Sequence, residues 1–320
     1  MADPMLATQN KSMILRVEQY LSHRRGLGSP LRTTAYALRA FARFADEDAP
    51  RQRLTCSLAT RWIDSHPRDM RVTRNNRVAA LRGFARFCQA LDSHTEVPPL
   101  ALLSSKPKRR APHIFSDSQV RCLMRRTRDL RSSRARLRGM TTETLIGLLA
   151  CTGLRIGEAL RLRFQDFDAH VGLIHISRTK HSPERDLPLH PSTVRALQHY
   201  REVRWRQYPA GEHFFVGPRG KPLTVYNARH SFGCVARGLR VNGARARPRL
   251  HDLRHSFATK LIAQWSRQSA PVEHRLLLLS RYLGHRHFSD TYWYLEPDRA
   301  ALQWAAASFS RYHRGTAASR

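Results

Sequence analysis

The apolar positions of the first hundred residues recur at the spacing of amphipathic helices. Four segments show this spacing, with a Gly-Leu-Gly-Ser-Pro break after the first: Met13 to Arg24, Leu31 to Ala45, Leu58 to Ser65 and Val72 to Leu91. Four helices with short connections predict a small helical bundle. The polar side of the fourth helix carries five arginines at about helical spacing: Arg71, Arg74, Arg77, Arg82 and Arg86. They form either a solvated face or a face that lies along a nucleic-acid backbone.

The helical pattern stops between residues 98 and 112, where prolines, serines and basic residues leave no apolar stripe. We therefore interpret residues 99–114 as a basic linker that joins a domain over residues 1–98 to a domain over residues 115–320. Ser116 or Asp117 could cap the first helix of the second domain, which would run to about Arg126.

The rest of the second domain reads as helices with one strand-rich interruption. The apolar, partly β-branched run Leu173-Ile174-His175-Ile176 and the segment Arg185 to Pro188 flank a polar turn, which predicts an antiparallel hairpin centred near residues 180–184. Helical patterns then return: Pro191 to Gln207, Val225 to Leu239, His251 to Trp265, Val272 to Leu283 and Ala300 to Phe309. The expected fold class is mainly α with a small antiparallel β-sheet, an α+β chain with an N-terminal four-helix domain.

The charge balance indicates which kind of partner the protein binds. The chain of 320 residues has 56 Lys and Arg against 24 Asp and Glu, a formal net charge of +32. The excess is present in both domains, so a polyanion, and above all nucleic acid, is the expected partner. Charge alone fits a protein that only binds nucleic acid as well as it fits an enzyme, because charge reports affinity rather than chemistry.

Cysteine usage and the N-terminal sequence bear on the compartment. Five cysteines are scattered along the chain without a Cys-x-x-Cys pair, which argues against a disulfide framework or a zinc site and fits a reducing cytoplasm. The start of the chain lacks the basic and apolar regions of a signal peptide, and no apolar stretch is long enough to span a bilayer. We expect a cytoplasmic protein.

Three segments far apart in sequence combine basic residues with glycine or histidine. Residues 152–160, T-G-L-R-I-G-E-A-L, place Arg155 between two glycines that suggest a helix end and a restart. Residues 251–259, H-D-L-R-H-S-F-A-T, place His251 and Arg254 three apart on one helix face. Residues 283–285, L-G-H, are followed nine residues after the histidine by Tyr294. We refer to these segments as boxes 1, 2 and 3; each alone is a weak signal.

Together and in this order the boxes resemble those of the tyrosine recombinases, the family of phage integrases and Xer-type resolvases. Residues 179–189 look like the β-hairpin that carries the catalytic lysine of that family. The resemblance covers about Phe115 to Tyr294, and more loosely the N-terminal bundle, which resembles the family's core-binding (SAM-like) DNA-binding domain.

The resemblance implies a site-specific recombinase that cuts and rejoins DNA through a 3′-phosphotyrosine, without metal, ATP or cofactor. It makes Arg155 and Arg254 the clamp on the scissile phosphate, Tyr294 the nucleophile and Lys180 the acid for the leaving oxygen. His251 and His285 would handle protons and donate or accept hydrogen bonds. Glu158 would orient Arg155, although an ordinary helix carboxylate explains it equally well.

The chemistry of strand transfer suits these side chains. Attack on a phosphodiester builds charge on two non-bridging oxygens, which the forked guanidinium groups match. A phenol needs a nearby base or cationic field to attack at neutral pH, and histidine titrates in that range. The sequence shows no P-loop, no metal-spaced His and Cys set, and few clustered carboxylates of the kind used by two-metal nucleases.

Some points stay open at the level of sequence. His181 replaces the glycine that usually follows the hairpin lysine, and Tyr292 is a minor alternative nucleophile beside Trp293. A type IB topoisomerase-like nicking and closing enzyme, or an inactive DNA-binding accessory protein, are the alternatives.

The resemblance also implies an assembly. Four protomers would assemble on two DNA duplexes, and partner recombinases are possible members of such a synapse. An amphipathic segment over Asp298 to Tyr312 would dock on a neighbouring subunit, as in the family, or within its own chain. The sequence leaves open whether the role is integration, transposition or dimer resolution.

Overall fold

The computed structural model describes residues 12–28, 31–48, 53–67, 70–102, 111–177, 183–239, 247–267, 272–292 and 294. The chain divides into two compact units, Met1–Arg110 and Ala111–Arg320. Lys180 and the segment Asp298 to Tyr312 lie outside the described residues, as do all four Lys and Arg residues of the linker. None of the helices that the structure describes is long and apolar enough to cross a membrane.

The first unit is built from the four predicted helices. They are α1 (Met13–Gly26), α2 (Arg32–Asp48), α3 (Cys56–Asp64) and α4 (Arg71–Gln89). Their apolar stripes meet in one core, where Phe41 packs edge-on against Trp62 with ring centroids 5.3 Å apart. The hydrophobic spacing therefore located each helix to within a few residues, because each has one clear buried face.

The arginines of α4 do not form one uninterrupted free face. Arg74 pairs with Asp64 at 2.8 Å, the guanidinium of Arg77 lies over the Trp62 ring at 5.1 Å, and Arg82 donates to the carbonyl of Pro98. Arg71 and Arg86 are exposed. Part of this basic stripe thus stabilises the bundle, and part of it remains available to a partner.

The second unit contains the sheet and the remaining helices. They are α5 (Asp117–Arg126), α6 (Arg138–Thr152), α7 (Ile156–Ala159), β1 (Phe167–Asp168), β2 (Leu173–Ile176), β3 (Arg185–Pro188), α8 (Pro191–Gln207), α9 (Val225–Val235), α10 (Leu250–Arg267), α11 (Val272–Leu283) and α12 (Ser289–Tyr292). Ser116, rather than Asp117, caps α5: its hydroxyl accepts from the backbone N–H of Gln119, whose side chain accepts from the N–H of Ser116.

Among the described elements, helix α6 is the longest that the hydrophobic pattern did not delimit. It lies in the main core of the second unit, and Leu145, Ile146, Leu148 and Leu149 are all buried. A helix that is buried on several sides has apolar residues around most of its circumference. Its sequence therefore lacks the alternation of apolar and polar positions from which a helix is recognised.

The sheet has three antiparallel strands in the order β1-β2-β3. Ile174 of β2 pairs with Leu187 of β3, and Ile176 pairs with Arg185. The expected hairpin joins β2 to β3, with the turn itself outside the described residues. Since side chains alternate along a strand, Arg185 shares the face of the buried Leu187 and faces the interior of the unit.

Candidate active site

Box 1 forms the junction between α6 and α7. Helix α6 ends at Gly153, whose φ of 63° is left-handed and suits glycine. Arg155 is the N-cap residue of α7, and its backbone N–H donates to Glu158 Oε2 at 3.0 Å. Arg155 Nη1 donates to Glu158 Oε1 at 3.1 Å. The spacing of Arg155 and Glu158 in box 1 therefore orients the arginine against a buried carboxylate.

Box 2 occupies the first turns of α10. Arg254 is almost fully buried, with 2% of its surface exposed. His251 lies at the surface, yet the protein packed around its ring lowers its pKa to about 4, helped by repulsion from His255 and Arg254. The imidazole of His251 is therefore neutral at pH 7 and can accept a proton.

Box 3 terminates α11 in a Schellman motif. Gly284 has a φ of 68°, its N–H donates to the carbonyl of Arg281, and the N–H of His285 donates to the carbonyl of Ser280, both at 2.9 Å. The chain reverses sharply here, and the carbonyls of the last helical residues are left to find other donors. The glycine of box 3 is thus required by the backbone.

Three arginines donate to consecutive carbonyls at this helix end. Arg185 Nε donates to the carbonyl of Tyr282 at 2.7 Å, Arg254 Nη2 to that of Leu283 at 2.9 Å, and Arg155 Nη1 to that of Gly284 at 2.8 Å. A helix C-terminus carries partial negative charge, so it favours the collected cations. We call Arg155, Arg185 and Arg254 the arginine cluster.

Tyr294 lies against this cluster. Its hydroxyl accepts a hydrogen bond from Arg254 Nε at 3.2 Å, and only 4% of the residue is exposed. The His285 ring stacks on the Tyr294 ring with centroids 5.8 Å apart and planes 15° apart. His255, for which its place beside the motif residues predicts a structural or DNA-facing role, lies between His251 and Tyr294, with ring centroids 5.0 and 5.2 Å away.

The hydrogen bonds of His285 fix its tautomer. Arg254 Nη2 lies 2.8 Å from His285 Nε2, and because a guanidinium only donates, Nε2 must accept. The proton is then on Nδ1, which donates to Thr291 Oγ1 at 2.8 Å. Burial, followed by the positive charges of Arg254 and Arg155, lowers the pKa of His285 to about 4, so the ring is neutral at pH 7.

The structure thus brings four of the six expected site residues together: Arg155, Arg254, His285 and Tyr294. His251 is connected to them through His255, and Lys180 lies outside the described residues. The one member of the arginine cluster that the motifs did not single out is Arg185. A signal existed, because an arginine on the inward face of a strand requires a buried partner.

Comparisons with known proteins point to one family. The model of the Phage integrase family matches residues 114–300. A protein of Sinorhizobium fredii named as integrase/recombinase y4rB is 36% identical over 288 residues, which cover 87% of this chain and 91% of that protein. Tyrosine recombinase XerC of Pediococcus pentosaceus is 27% identical over 73% of this chain and 74% of its own length.

A solved structure shows the same fold. The Tn1549 transposon integrase, in complex with transposon right end DNA, superposes with a TM-score of 0.66 and 18% identity, covering 94% of this chain and 99% of that one. The family match spans more than half of the chain, and the relative from Sinorhizobium fredii spans nearly all of it. The chain therefore belongs to the phage integrase family, the tyrosine-type site-specific DNA recombinases.

Proposed function

We propose that this recombinase cleaves one DNA strand by attack of the Tyr294 hydroxyl on a backbone phosphate held by Arg155 and Arg254. The observation that carries the proposal is the hydrogen bond at 3.2 Å from Nε of the buried Arg254 to Tyr294 Oη, within the arginine cluster. A guanidinium beside a phenol serves both partners of the reaction, because it stabilises the phenolate and the charge on the phosphate.

The reaction forms a bond from Tyr294 Oη to phosphorus and breaks the bond from phosphorus to the 5′ oxygen. The phenol proton passes to a neutral imidazole, either that of His251 or that of His285 once its Nε2 has released Arg254. The 5′ oxygen leaves with a proton from Lys180. The 3′-phosphotyrosine conserves the energy of the phosphodiester, so a 5′-hydroxyl of another strand can reverse the step. Neither ATP nor a metal is needed for this exchange.

The partner of the proposed reaction is double-stranded DNA. Support comes from the net charge of +32, present in both units, and from the DNA bound in the Tn1549 integrase structure. We assign the first unit to core DNA binding, with the exposed Arg71 and Arg86 of α4 toward the DNA backbone. Four protomers on two duplexes, acting in the cytoplasm, complete the proposal.

The test is covalent trapping on a duplex that is nicked next to the crossover, so that the cleaved fragment diffuses away. Wild-type protein should form a covalent protein–DNA adduct in the presence of EDTA, and Tyr294→Phe should form none. Tyr292→Phe is the matched control and should still form the adduct. An adduct with Tyr294→Phe, or none with the wild type, would reject the assignment.

Recombination is separated from topoisomerase activity by strand exchange between two differently labelled duplexes. A recombinase joins strands of different duplexes, whereas a nicking and closing enzyme relaxes supercoiled DNA and joins no new partners. Relaxation without exchanged products, at protein excess over both duplexes, would favour the type IB topoisomerase-like alternative. A protein that binds both duplexes but forms no adduct would be a DNA-binding accessory.

A further inference from the structure

We propose that Arg185 is a positioning residue, which holds Arg155 in its phosphate-binding orientation through the carboxylate of Glu158. The proposal rests on the proposed function, since it deepens the role of the clamp. Arg185 lies on strand β3, 30 residues after Arg155 in the chain. The contacts between them form one continuous path through the buried carboxylate of Glu158.

The first part of the path joins Arg185 to Glu158. Arg185 Nη2 lies 3.0 Å from Glu158 Oε2, and Arg185 Nη1 lies 3.4 Å from Oε1. The two side chains are 9% and 2% exposed, so water screens this pair weakly. The arrangement uses both ends of the guanidinium fork against both oxygens of one carboxylate.

The second part joins Glu158 to Arg155. The same Oε2 accepts the backbone N–H of Arg155 at 3.0 Å, and the same Oε1 accepts from Arg155 Nη1 at 3.1 Å. Each carboxylate oxygen therefore serves both arginines. A rotation of the Glu158 carboxylate after the loss of Arg185 would bend or break the hydrogen bond that helps to hold the Nη1 group of Arg155.

A third contact ties Arg185 to the helix end that carries box 3. Arg185 Nε donates to the carbonyl of Tyr282, two residues before the carbonyl of Gly284 that accepts from Arg155. Arg185 thus fixes both supports of Arg155, the carboxylate on one side and the end of α11 on the other. Lysine could supply the charge but not three directed N–H bonds in one plane.

The charge of this group also favours the assignment. Two guanidiniums, those of Arg155 and Arg185, pair with the one carboxylate of Glu158, and Arg254 lies at the same helix end. The arginine cluster and Glu158 together therefore retain an excess of positive charge for an incoming phosphate. A purely structural ion pair would need one arginine for Glu158. Here Arg185 compensates the carboxylate, which leaves more of the charge of Arg155 for the phosphate.

The experiment measures single-turnover adduct formation on the nicked duplex with saturating protein. Arg185→Met should slow cleavage on the order of 10- to 100-fold, because a misplaced clamp loses transition-state stabilisation. Arg185→Lys should lie between Met and wild type. The apparent Kd for the duplex should change by less than about twofold. Arg163→Gln, which removes an exposed 2.8 Å ion pair with Glu212 in the same unit, is the matched control and should cleave normally.

Two further readouts distinguish positioning from a loss of packing. Because the main path from Arg185 to Arg155 runs through Glu158, the loss of rate in the double variant with Glu158→Gln should be clearly smaller than the product of the two single losses. On a duplex with a methylphosphonate at the scissile position, one non-bridging charge is absent. The defect of Arg185→Met should shrink severalfold there, whereas a packing defect would persist unchanged.

Several outcomes would overturn the proposal. Wild-type cleavage rates for Arg185→Met and Arg185→Lys would do so, as would multiplicative losses in the double variant or an equal defect on the methylphosphonate duplex. If Arg185→Met does not fold, as judged by circular dichroism, Arg185→Lys decides by the same criteria. Absence of an adduct with wild-type protein would instead reject the proposed function, and this inference with it.

Discussion

Replacing Gly153 by alanine tests the packing that supports box 1. Gly153 ends α6 with a φ of 63°, and a Cβ atom there would lie 2.6 Å from Phe257 Cδ1 and 3.0 Å from Leu283 Cδ2. Phe257 lies on α10 and Leu283 ends α11, so the added methyl group would push both helices away from α6. The carbonyl of Gly153 also accepts from Arg254 Nη1 at 2.7 Å.

The magnitude follows from two contributions. A left-handed backbone costs a residue other than glycine about 1–2 kcal/mol. Forcing a methyl group into a filled site costs about 1–3 kcal/mol, because the neighbours are ring and branched side chains within packed helices. We therefore expect Gly153→Ala to lower the free energy of unfolding of the second unit by about 2–5 kcal/mol, and to slow adduct formation by displacing Arg254.

Two other glycines separate these contributions. Gly238 has a φ of 70° with no atom within 4 Å of its Cβ position, so Gly238→Ala should cost only the backbone strain, about 1–2 kcal/mol. Gly233 lies inside α9, also with nothing within 4 Å. Gly233→Ala should be neutral or stabilise by up to about 1 kcal/mol, because alanine favours a helix.

Urea unfolding of the full chain, followed by tryptophan fluorescence, provides the measurement. Four of the five tryptophans lie beyond residue 110, so the signal reports mainly on the second unit. If Gly153→Ala and Gly238→Ala lose the same free energy, the contact with Phe257 contributes nothing and the packing argument is wrong. A stable Gly153→Ala protein that cleaves at the wild-type rate would refute the link to Arg254.

Three further predictions concern the same unit. Gly284→Ala should strain the end of α11 by about 1–2 kcal/mol in urea unfolding and reduce single-turnover cleavage by displacing His285. His285 has a folded-state pKa of about 4, below its ordinary value near 6.5, so the unfolded chain binds more protons than the folded chain at pH values between 4 and 6.5. The free energy of unfolding, measured by urea titration, should therefore fall as the pH drops from about 6.5 to about 4, and His285→Gln should make that decline less steep. Tyr200→Phe should cost about 1–3 kcal/mol in the same unfolding assay, because the buried hydroxyls of Tyr200 and Thr141 bond each other at 3.0 Å and the hydroxyl of Thr141 would lose its partner.

The sequence predicted the elements whose burial is one-sided. Helices α1 to α4 each bury one stripe, and β2 and β3 alternate around a polar turn, so hydrophobic spacing alone located them. Helix α6 has no such stripe, and nothing local marks its first residue, Arg138. Only the glycine of box 1 indicated where the helix ends. A residue that the backbone conformation requires can thus be recognised in the sequence even where the packing of a helix cannot.

The candidate site was predictable to the extent that its residues stand in motifs. Arg155, Arg254, His285 and Tyr294 could be named from the boxes. The hydrogen bonds that join box 3 and Tyr294 to Arg155 and Arg254 could not, because they connect segments separated by tens of residues. The same limit on predicting contacts from sequence applies to Arg185. Its inward position on β3 can be read from the alternation with Leu187, whereas its partner Glu158 depends on how the sheet packs against α7.

The three boxes share one structural feature in the fold. Each box lies at a helix terminus, where the backbone has unpaired groups, and the arginine cluster pairs with the carbonyls at the end of α11. Arg254 donates from all three of its nitrogens, to the carbonyls of Gly153 and Leu283 and to the side chains of His285 and Tyr294. The carbonyl contacts are fixed by the helices, whereas the two side chains can move. A phosphate that takes a bidentate hold on Arg254 must therefore displace one of those side chains, and it then lies beside the phenol that attacks it.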